Sequence, residues 1–157
     1  MFKRLDWTLS ETVTQQARRS DRLRQGFAFH ASEEKVQRTL IALQPGTYVR
    51  PHRHVRDSSD NGFEMLLVLQ GAIGVLLFDE QGEVITQEEI SAEAQTYGVE
   101  LAEGIYHTAI ALSPDTLILE IKEGPYIPHL DKEFLSHFPL EGTLEAQKLV
   151  QTWQNYF

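Results

Sequence analysis

Cysteine is absent from the 157-residue sequence, and no apolar stretch approaches the ~18 residues that a membrane-spanning helix needs. The first absence excludes disulfides, thiolate nucleophiles and cysteine metal sites, so any metal ion would have to bind to His, Asp or Glu side chains. The N-terminal sequence also lacks the apolar core of a secretory signal. We therefore predict a cytoplasmic protein with no membrane partner.

Positive charge is scarce as well. The sequence has 14 Lys and Arg residues against 23 Asp and Glu residues, which gives a net charge of -9. Such a chain repels a nucleic-acid backbone or an anionic membrane surface, so we predict no nucleic-acid partner. The length suits a single domain that spans residues 1–157.

The middle of the chain, residues 35–122, consists of short segments rich in Val, Ile, Leu and Thr that are separated by turn residues. This pattern predicts β-strands, with a hairpin turn at Asp79–Gly82. Many short strands in one domain favour a sandwich or a closed barrel, because both protect the sheet edges. The sequence therefore predicts an all-β jelly roll.

Short helices are expected on either side of this β-region. In the N-terminal segment, residues 1–34, a polar helix is predicted over Ser10–Arg22, with Ser10 as its cap. The C-terminal segment, residues 123–157, begins with a proline-containing stretch that is expected to cross the surface. An amphipathic helix is predicted to follow it, behind a cap at Thr143.

Histidines and a carboxylate lie at a spacing that points to a metal site. His52 and His54 are two residues apart, so in a strand both side chains project to the same face. Glu64 opens the next apolar strand, and His107 lies within a later one. A single histidine of this kind is more often a surface or hydrogen-bonded structural residue, but the combination favours a divalent transition metal ion. Asp57 and Asp60 are alternative carboxylate ligands.

This pattern resembles the first motif of the cupin superfamily, in which the two histidines and the glutamate lie between Gly46 and Gly71. Nine residues, Val55 to Phe63, separate His54 from Glu64, whereas a typical cupin has three or four. The sequence Ala102-Glu103-Gly104, followed by His107, resembles the second motif. Three longer stretches look like the WbuC-type cupin metalloproteins, namely "VQRTLIALQPGTYVRPHRH", "LLFDEQGEV" and "EIKEGPYIPHLDKEF".

The resemblance implies a cupin double-stranded β-helix with one divalent ion, of zinc, iron, nickel or manganese. The implied metal ligands are His52, His54, Glu64 and His107. It also implies a homodimer, since many cupins form one. Genes of the WbuC-type family occur among those for surface polysaccharide synthesis.

Several side chains are candidates for contact with a small anionic ligand. Alternation carried back from His52 places Arg50 and Tyr48 on the inward face, unless Pro51 disturbs the strand. The remaining candidates are Arg38, Lys122 and Tyr126, which have the chemistry to bind a carboxylate or a phosphate. For each of these, a solvated charge or a structural ion pair is the alternative, as between Glu120 and Arg38.

Three functions are compatible with such a site. The first is a metal-dependent enzyme that isomerises or epimerises a small anionic metabolite, such as a sugar or a sugar nucleotide. The second is a binding protein in which the ion anchors a ligand without turnover. The third is an iron-dependent dioxygenase.

Overall fold

The structure is a computed structural model that describes residues 2–56 and 61–157. Its main body consists of two five-stranded antiparallel sheets. The first sheet has the strand order β1-β2-β9-β4-β7 and the second the order β10-β3-β8-β5-β6. The strands are β1 (Arg24–Ala28), β2 (Val36–Leu43), β3 (His52–Arg53), β4 (Glu64–Gln70), β5 (Ala72–Phe78), β6 (Val84–Ser91), β7 (Gly98–Leu101), β8 (Tyr106–Ala111), β9 (Thr116–Glu123) and β10 (Glu133–Phe134).

The core lies between the two sheets because alternate residues of both point inward. Leu66 and Val68 of β4 meet Ile73 and Val75 of β5 in one buried cluster. Ile118 of β9 extends this cluster across the first sheet. Burying such side chains stabilises the fold by about 1.5–3 kcal/mol each. At one end of the inner space polar residues replace the hydrocarbon, and this end contains the candidate site.

The N-terminal helix differs in position from the one predicted over Ser10–Arg22. Helix α1 spans Trp7–Arg19, and Asp6 is its cap, since the Asp6 side chain accepts a hydrogen bond from the Leu9 backbone N–H at 3.0 Å. Asp is as effective a cap as Ser, and this Asp6 lies closer to the start of the helix. The buried face of α1 packs on the outer face of the first sheet, against Leu40, Ala42 and Leu117.

Strand β1 lies within the segment that was expected to be helical. Arg24–Ala28 pairs with β2 in antiparallel register, from Arg24 opposite Leu43 to Ala28 opposite Thr39. The sequence RQGFA shows no clear hydrophobic alternation, because the strand is only partly buried. Backbone pairing with β2 therefore determines this strand, and periodicity could not reveal it.

The hairpin and the closing helix are confirmed. Asp79–Gly82 forms the turn between β5 and β6, with Gly82 at a φ angle of 84°. Helix α2 spans Leu144–Gln154, and the Thr143 side chain accepts a hydrogen bond from the Ala146 backbone N–H at 3.2 Å. Trp153 of α2 is buried against the outer face of the second sheet. Neither helix is long and apolar enough to cross a membrane.

One glycine of the cupin-like motif is required by close packing. Gly71 joins β4 to β5 at a φ angle of 75°, where an L side chain is strained. A Cβ atom at this position would lie 2.6 Å from the hydroxyl oxygens of both Ser113 and Thr116. These contacts explain why glycine stands at the end of β4.

Candidate metal centre

Both sheets contribute to the site. His52 of β3 lies directly opposite His107 of β8 in the second sheet, and His54 follows β3. Glu64 is the first residue of β4 in the first sheet. All four side chains are buried, and each offers one ligand atom that lies within 4.8 Å of the other three.

Backbone carbonyls orient the three imidazole rings. The Nδ1 atoms of His52 and His107 lie 2.9 Å from the carbonyl oxygens of Arg50 and Ile105, respectively. The Nδ1 atom of His54 lies 2.5 Å from the carbonyl oxygen of Asp131. Because a carbonyl can only accept, each Nδ1 carries a proton, and the neutral form of each ring has its lone pair on Nε2. This is the tautomer in which Nε2 binds a metal ion.

Glu64 supplies the negative charge of the candidate metal site. Its Oε2 atom lies 2.7 Å from His107 Nε2 and 3.6 Å from His54 Nε2. Burial opposes ionisation of Glu64, but His107 and His54 more than offset this and hold its pKa well below the usual value. Burial also lowers the pKa of His52 well below its usual value, which favours the neutral imidazole.

Two of the imidazole nitrogens indicate whether a metal ion fits the site. His52 Nε2 and His54 Nε2 are buried without a hydrogen-bond partner among the described residues. Leaving a buried polar atom unsatisfied costs roughly 1–3 kcal/mol. A divalent ion among the four ligand atoms would satisfy both nitrogens and balance the Glu64 charge. The residues therefore fit a metal ion of the type that accepts imidazole and carboxylate ligands.

The two alternative carboxylates, Asp57 and Asp60, lie outside the described residues. Glu64 occupies the position that they were considered for.

A cavity of about 130 Å³ adjoins three of the four side chains, and we call it the first cavity. His52, Glu64 and His107 line one part of its wall, and apolar side chains such as Leu66 and Ile118 line another. Glu120 of β9 also lines it. Burial and the neighbouring Glu64 carboxylate raise the pKa of Glu120 to about 8. The cavity thus combines a potential metal site with a second carboxyl group.

A second cavity, of about 390 Å³, adjoins the first. The two share Arg22, Arg24, Val49 and Lys132 as lining residues. Arg50 lines only the second cavity, so four cationic side chains surround it. Two carboxylates, those of Asp131 and Glu141, line it as well, so cationic side chains outnumber acidic ones by four to two in a chain with a net charge of -9.

Arg50 and Tyr126, two of the five candidate ligand-binding residues, line the second cavity. The Arg50 guanidinium donates to the carbonyl oxygens of Leu135 and Ser136 at 3.0 and 2.8 Å. It also lies over the ring of Phe134, with 5.4 Å between Cζ and the ring centroid. Both residues are therefore placed where a ligand could meet them.

Tyr48 lies elsewhere. It is buried against α2, where its ring stacks on Trp153 at 5.8 Å, and its hydroxyl donates to the Pro139 carbonyl oxygen at 2.9 Å. The alternation that placed Tyr48 inward requires a strand, but residues 47–51 have none, and Pro51 interrupts the extended run. Val49 lines the cavities instead.

Arg38 and Lys122 form ion pairs and line neither the first nor the second cavity. Arg38 points to the outer face of the first sheet and pairs with Glu34. Lys122 points inward but is buried, with its Nζ atom 2.6 Å from Asp131 and 3.9 Å from Glu120. The predicted ion pair between Arg38 and Glu120 is therefore wrong, and Glu120 lies near Lys122 instead. The Glu120 side chain points inward from β9, whereas the Arg38 side chain points outward from β2.

Several charged cavity residues were missed at the level of sequence, among them Glu120, Arg24 and Lys132. Glu120 had been considered only as a partner of Arg38, although its place two residues before Lys122 put both on one face of the strand. Arg24 lies on the unforeseen strand β1. Lys132 lies in the proline-containing segment, where no periodicity indicates the direction of a side chain.

The fold resembles that of several solved structures. KdgF from Halomonas sp. is 23% identical over 68% of this chain and 82% of its own, with a TM-score of 0.51. The capsular polysaccharide assembling protein CapF from Staphylococcus aureus is 18% identical over 73% of this chain, with a TM-score of 0.58. Oxalate decarboxylase OxdC from Bacillus subtilis is 16% identical over 74% of this chain, with a TM-score of 0.52.

This chain matches only 32% of the length of CapF and 30% of that of OxdC. At these identities the likeness concerns the fold alone. A search among curated proteins finds no match.

The two antiparallel sheets and these structural relatives define the chain as a cupin β-barrel, as predicted. Within that class, residues 5–90 match the family described as Domain of unknown function (DUF6016), and the chain belongs to that family.

Proposed function

We propose that this protein is a metal-binding cupin that acts on a small anionic metabolite, such as a sugar acid or a sugar nucleotide, by isomerisation or epimerisation. The proposed metal ligands are His52, His54, Glu64 and His107. The observation that carries the proposal is the convergence of their four ligand atoms within 4.8 Å beside a cavity. Two of the imidazoles present buried Nε2 atoms without a partner among the described residues.

A divalent ion in this site would polarise a carbonyl or hydroxyl oxygen of the ligand. The protein side chains have the other tasks. The Nδ1 hydrogen bonds fix the orientation of the imidazoles, and the apolar wall of the first cavity limits the access of water. Arg50 and Tyr126 are proposed to contact the anionic part of the ligand from the second cavity.

The first cavity also contains a side chain that can carry a proton. Isomerisation requires a group that moves a proton between ligand atoms, and Glu120 has its carboxyl group in the wall beside Glu64. We propose Glu120 for this role on the basis of its position. The presence of this group favours an enzyme over a protein that only binds a ligand.

The charge of the second cavity supports an anionic ligand, because four cationic side chains line it against two carboxylates, those of Asp131 and Glu141. The likeness to CapF, a capsular polysaccharide assembling protein, agrees with a role in surface polysaccharide synthesis. We also propose that the protein forms a homodimer in the cytoplasm. Light scattering coupled to gel filtration measures its mass against the 18.0 kDa of one chain.

The proposal is tested by incubating the metal-loaded protein with a panel of sugar acids and sugar nucleotides, with nuclear magnetic resonance as the readout. We expect one class to be converted, and we expect Glu120→Gln to bind the same compound without conversion. Saturable binding by the wild type without any product would instead identify a binding protein. Oxygen consumption by the iron-loaded protein would identify a dioxygenase, and neither binding nor product would refute the proposal.

A further inference from the structure

The four cations around the second cavity differ in what they are paired with. Arg22 and Arg24 share one carboxylate, that of Glu141, at 2.9 and 2.6 Å. The guanidinium of Arg50 donates to two backbone carbonyls. Lys132 forms no ion pair with a carboxylate in the described part of the chain.

The carboxylates near Lys132 have other partners. Asp131, its neighbour in sequence, accepts from Lys122 at 2.6 Å and from Arg56 at 2.9 Å. Glu64 lies between His107 and His54. The side chain of Lys132 thus lies near acidic groups that form their hydrogen bonds with other side chains.

The position of Lys132 is also distinctive. It lines both cavities and is the cation beside the potential metal site that has no carboxylate partner among residues 2–56 and 61–157. The side chain is half-buried. Burial lowers the pKa of Lys132, and the neighbouring Glu64 and Glu120 carboxylates oppose this shift. An ammonium group that is partly desolvated gains more from an anion than an exposed one does.

The size of the first cavity restricts what can enter it. At about 130 Å³ it has roughly one third of the volume of the second cavity. A ligand with a larger body would therefore extend into the second cavity, which has about 390 Å³. Such a ligand would extend past the residues that line both spaces, and Lys132 is one of these four.

We infer that Lys132 is an anchor for the ligand, which binds a carboxylate or phosphate group where the two cavities adjoin, next to the potential metal site. This inference rests on the proposed function, because it specifies which part of an anionic ligand binds and where. Lys132 is a binding residue in this account and not a metal ligand.

The test compares two pairs of probes that differ in charge. Galacturonate is compared with galactose, and glucose 1-phosphate with glucose, by isothermal titration of the metal-loaded protein. We expect the wild type to prefer the anionic member of at least one pair. We expect Lys132→Met to weaken binding of that probe by about 10- to 100-fold, in line with the loss of a charged hydrogen bond.

Two control variants accompany Lys132→Met. Lys132→Arg keeps the charge and should retain most of the affinity, which also guards against misfolding of the Met variant. Lys148→Met removes an exposed lysine of α2 and should change nothing. The metal content of every variant is measured in parallel and should equal that of the wild type.

The outcomes separate this inference from the proposed function. If the wild type binds an anionic probe and Lys132→Met binds it equally well, the anchor is refuted and the proposed function stands. If Lys132→Met loses its metal, the residue supports the metal centre and the anchor is again refuted. If the wild type binds no probe, or binds the uncharged sugars as tightly, both proposals fail together.

Discussion

Single hydrogen bonds determine how each histidine of the site can act. Three backbone carbonyls fix the protons of His52, His54 and His107 on Nδ1, and this leaves their Nε2 atoms for an ion. The carbonyl that orients His54 belongs to Asp131, whose carboxylate is in turn held by Lys122 and Arg56. The buried ion pairs therefore help to hold the His54 ring in place, and Asp131 also lines the second cavity.

The residue Lys122 provides a test of this arrangement. Lys122→Met would leave the buried Asp131 with Arg56 as its remaining partner, and we expect it to lower the free energy of unfolding by about 3 kcal/mol. Denaturation with urea measures this change, and Lys148→Met serves as the control. A variant as stable as the wild type would contradict a structural role for the Lys122 ion pair.

Among single residues, the sequence predicted the direction of a side chain best where a motif fixed its spacing. His52, His54, Glu64 and His107 lie close together, as predicted. Strand alternation and the cupin-like motif were enough to indicate which way these side chains point. Alternation gave the wrong direction for Tyr48, because Pro51 ends the extended run. Lys132 could not be found, because no regular element determines its direction.

Helix caps and backbone pairing between strands determine where the helices and strands lie. Helix α1 begins three residues before the predicted start because Asp6 caps it, and α2 begins where Thr143 predicted. Strand β1 was not foreseen because its backbone pairing with β2, rather than a buried face, holds it in the sheet. Elements with a buried periodic face were thus predictable, and a strand without one was not.

The cap of α2 is expected to contribute to the stability of the protein. Thr143→Ala removes the hydrogen bond to the Ala146 backbone N–H, so we expect a loss of about 1 kcal/mol in the free energy of unfolding. Thermal denaturation measures this loss. Thr152→Ala, at an exposed position of the same helix, is the matched control and should cost less. Equal losses in the two variants would contradict the role of Thr143 as a cap.

For the whole molecule, contacts between distant segments attach the helices to the barrel. Arg18 of α1 donates to Asp115, which precedes β9, with 2.8 Å between Nε and Oδ1. Gln44, which follows β2, donates to the same carboxylate at 2.8 Å. These contacts tie α1 to two loops of the first sheet, although 97 residues separate Arg18 from Asp115.

This contact predicts a dependence of stability on pH. The Arg18 hydrogen bond holds the pKa of Asp115 below its usual value, with a further contribution from Gln44. A carboxylate with a lowered pKa in the folded state stabilises the protein above its unfolded pKa of about 3.9, and this contribution is lost as the pH falls through the folded pKa.

The test is thermal denaturation of the wild type and Asp115→Asn between about pH 6 and pH 2. We expect the wild type to lose more stability over this range than Asp115→Asn, which carries no titratable group at this position. Parallel curves would show that the contact with Arg18 does not contribute.

The central claim is that four buried side chains from both sheets bind one divalent ion, and metal analysis of protein purified without a histidine tag tests it most directly. We expect about one ion per chain in the wild type and in His137→Ala, which changes an exposed histidine. We expect a loss of stoichiometric metal in His52→Ala and His107→Ala. Folded wild-type protein that takes up no divalent ion, or both site variants with their metal intact, would contradict the account.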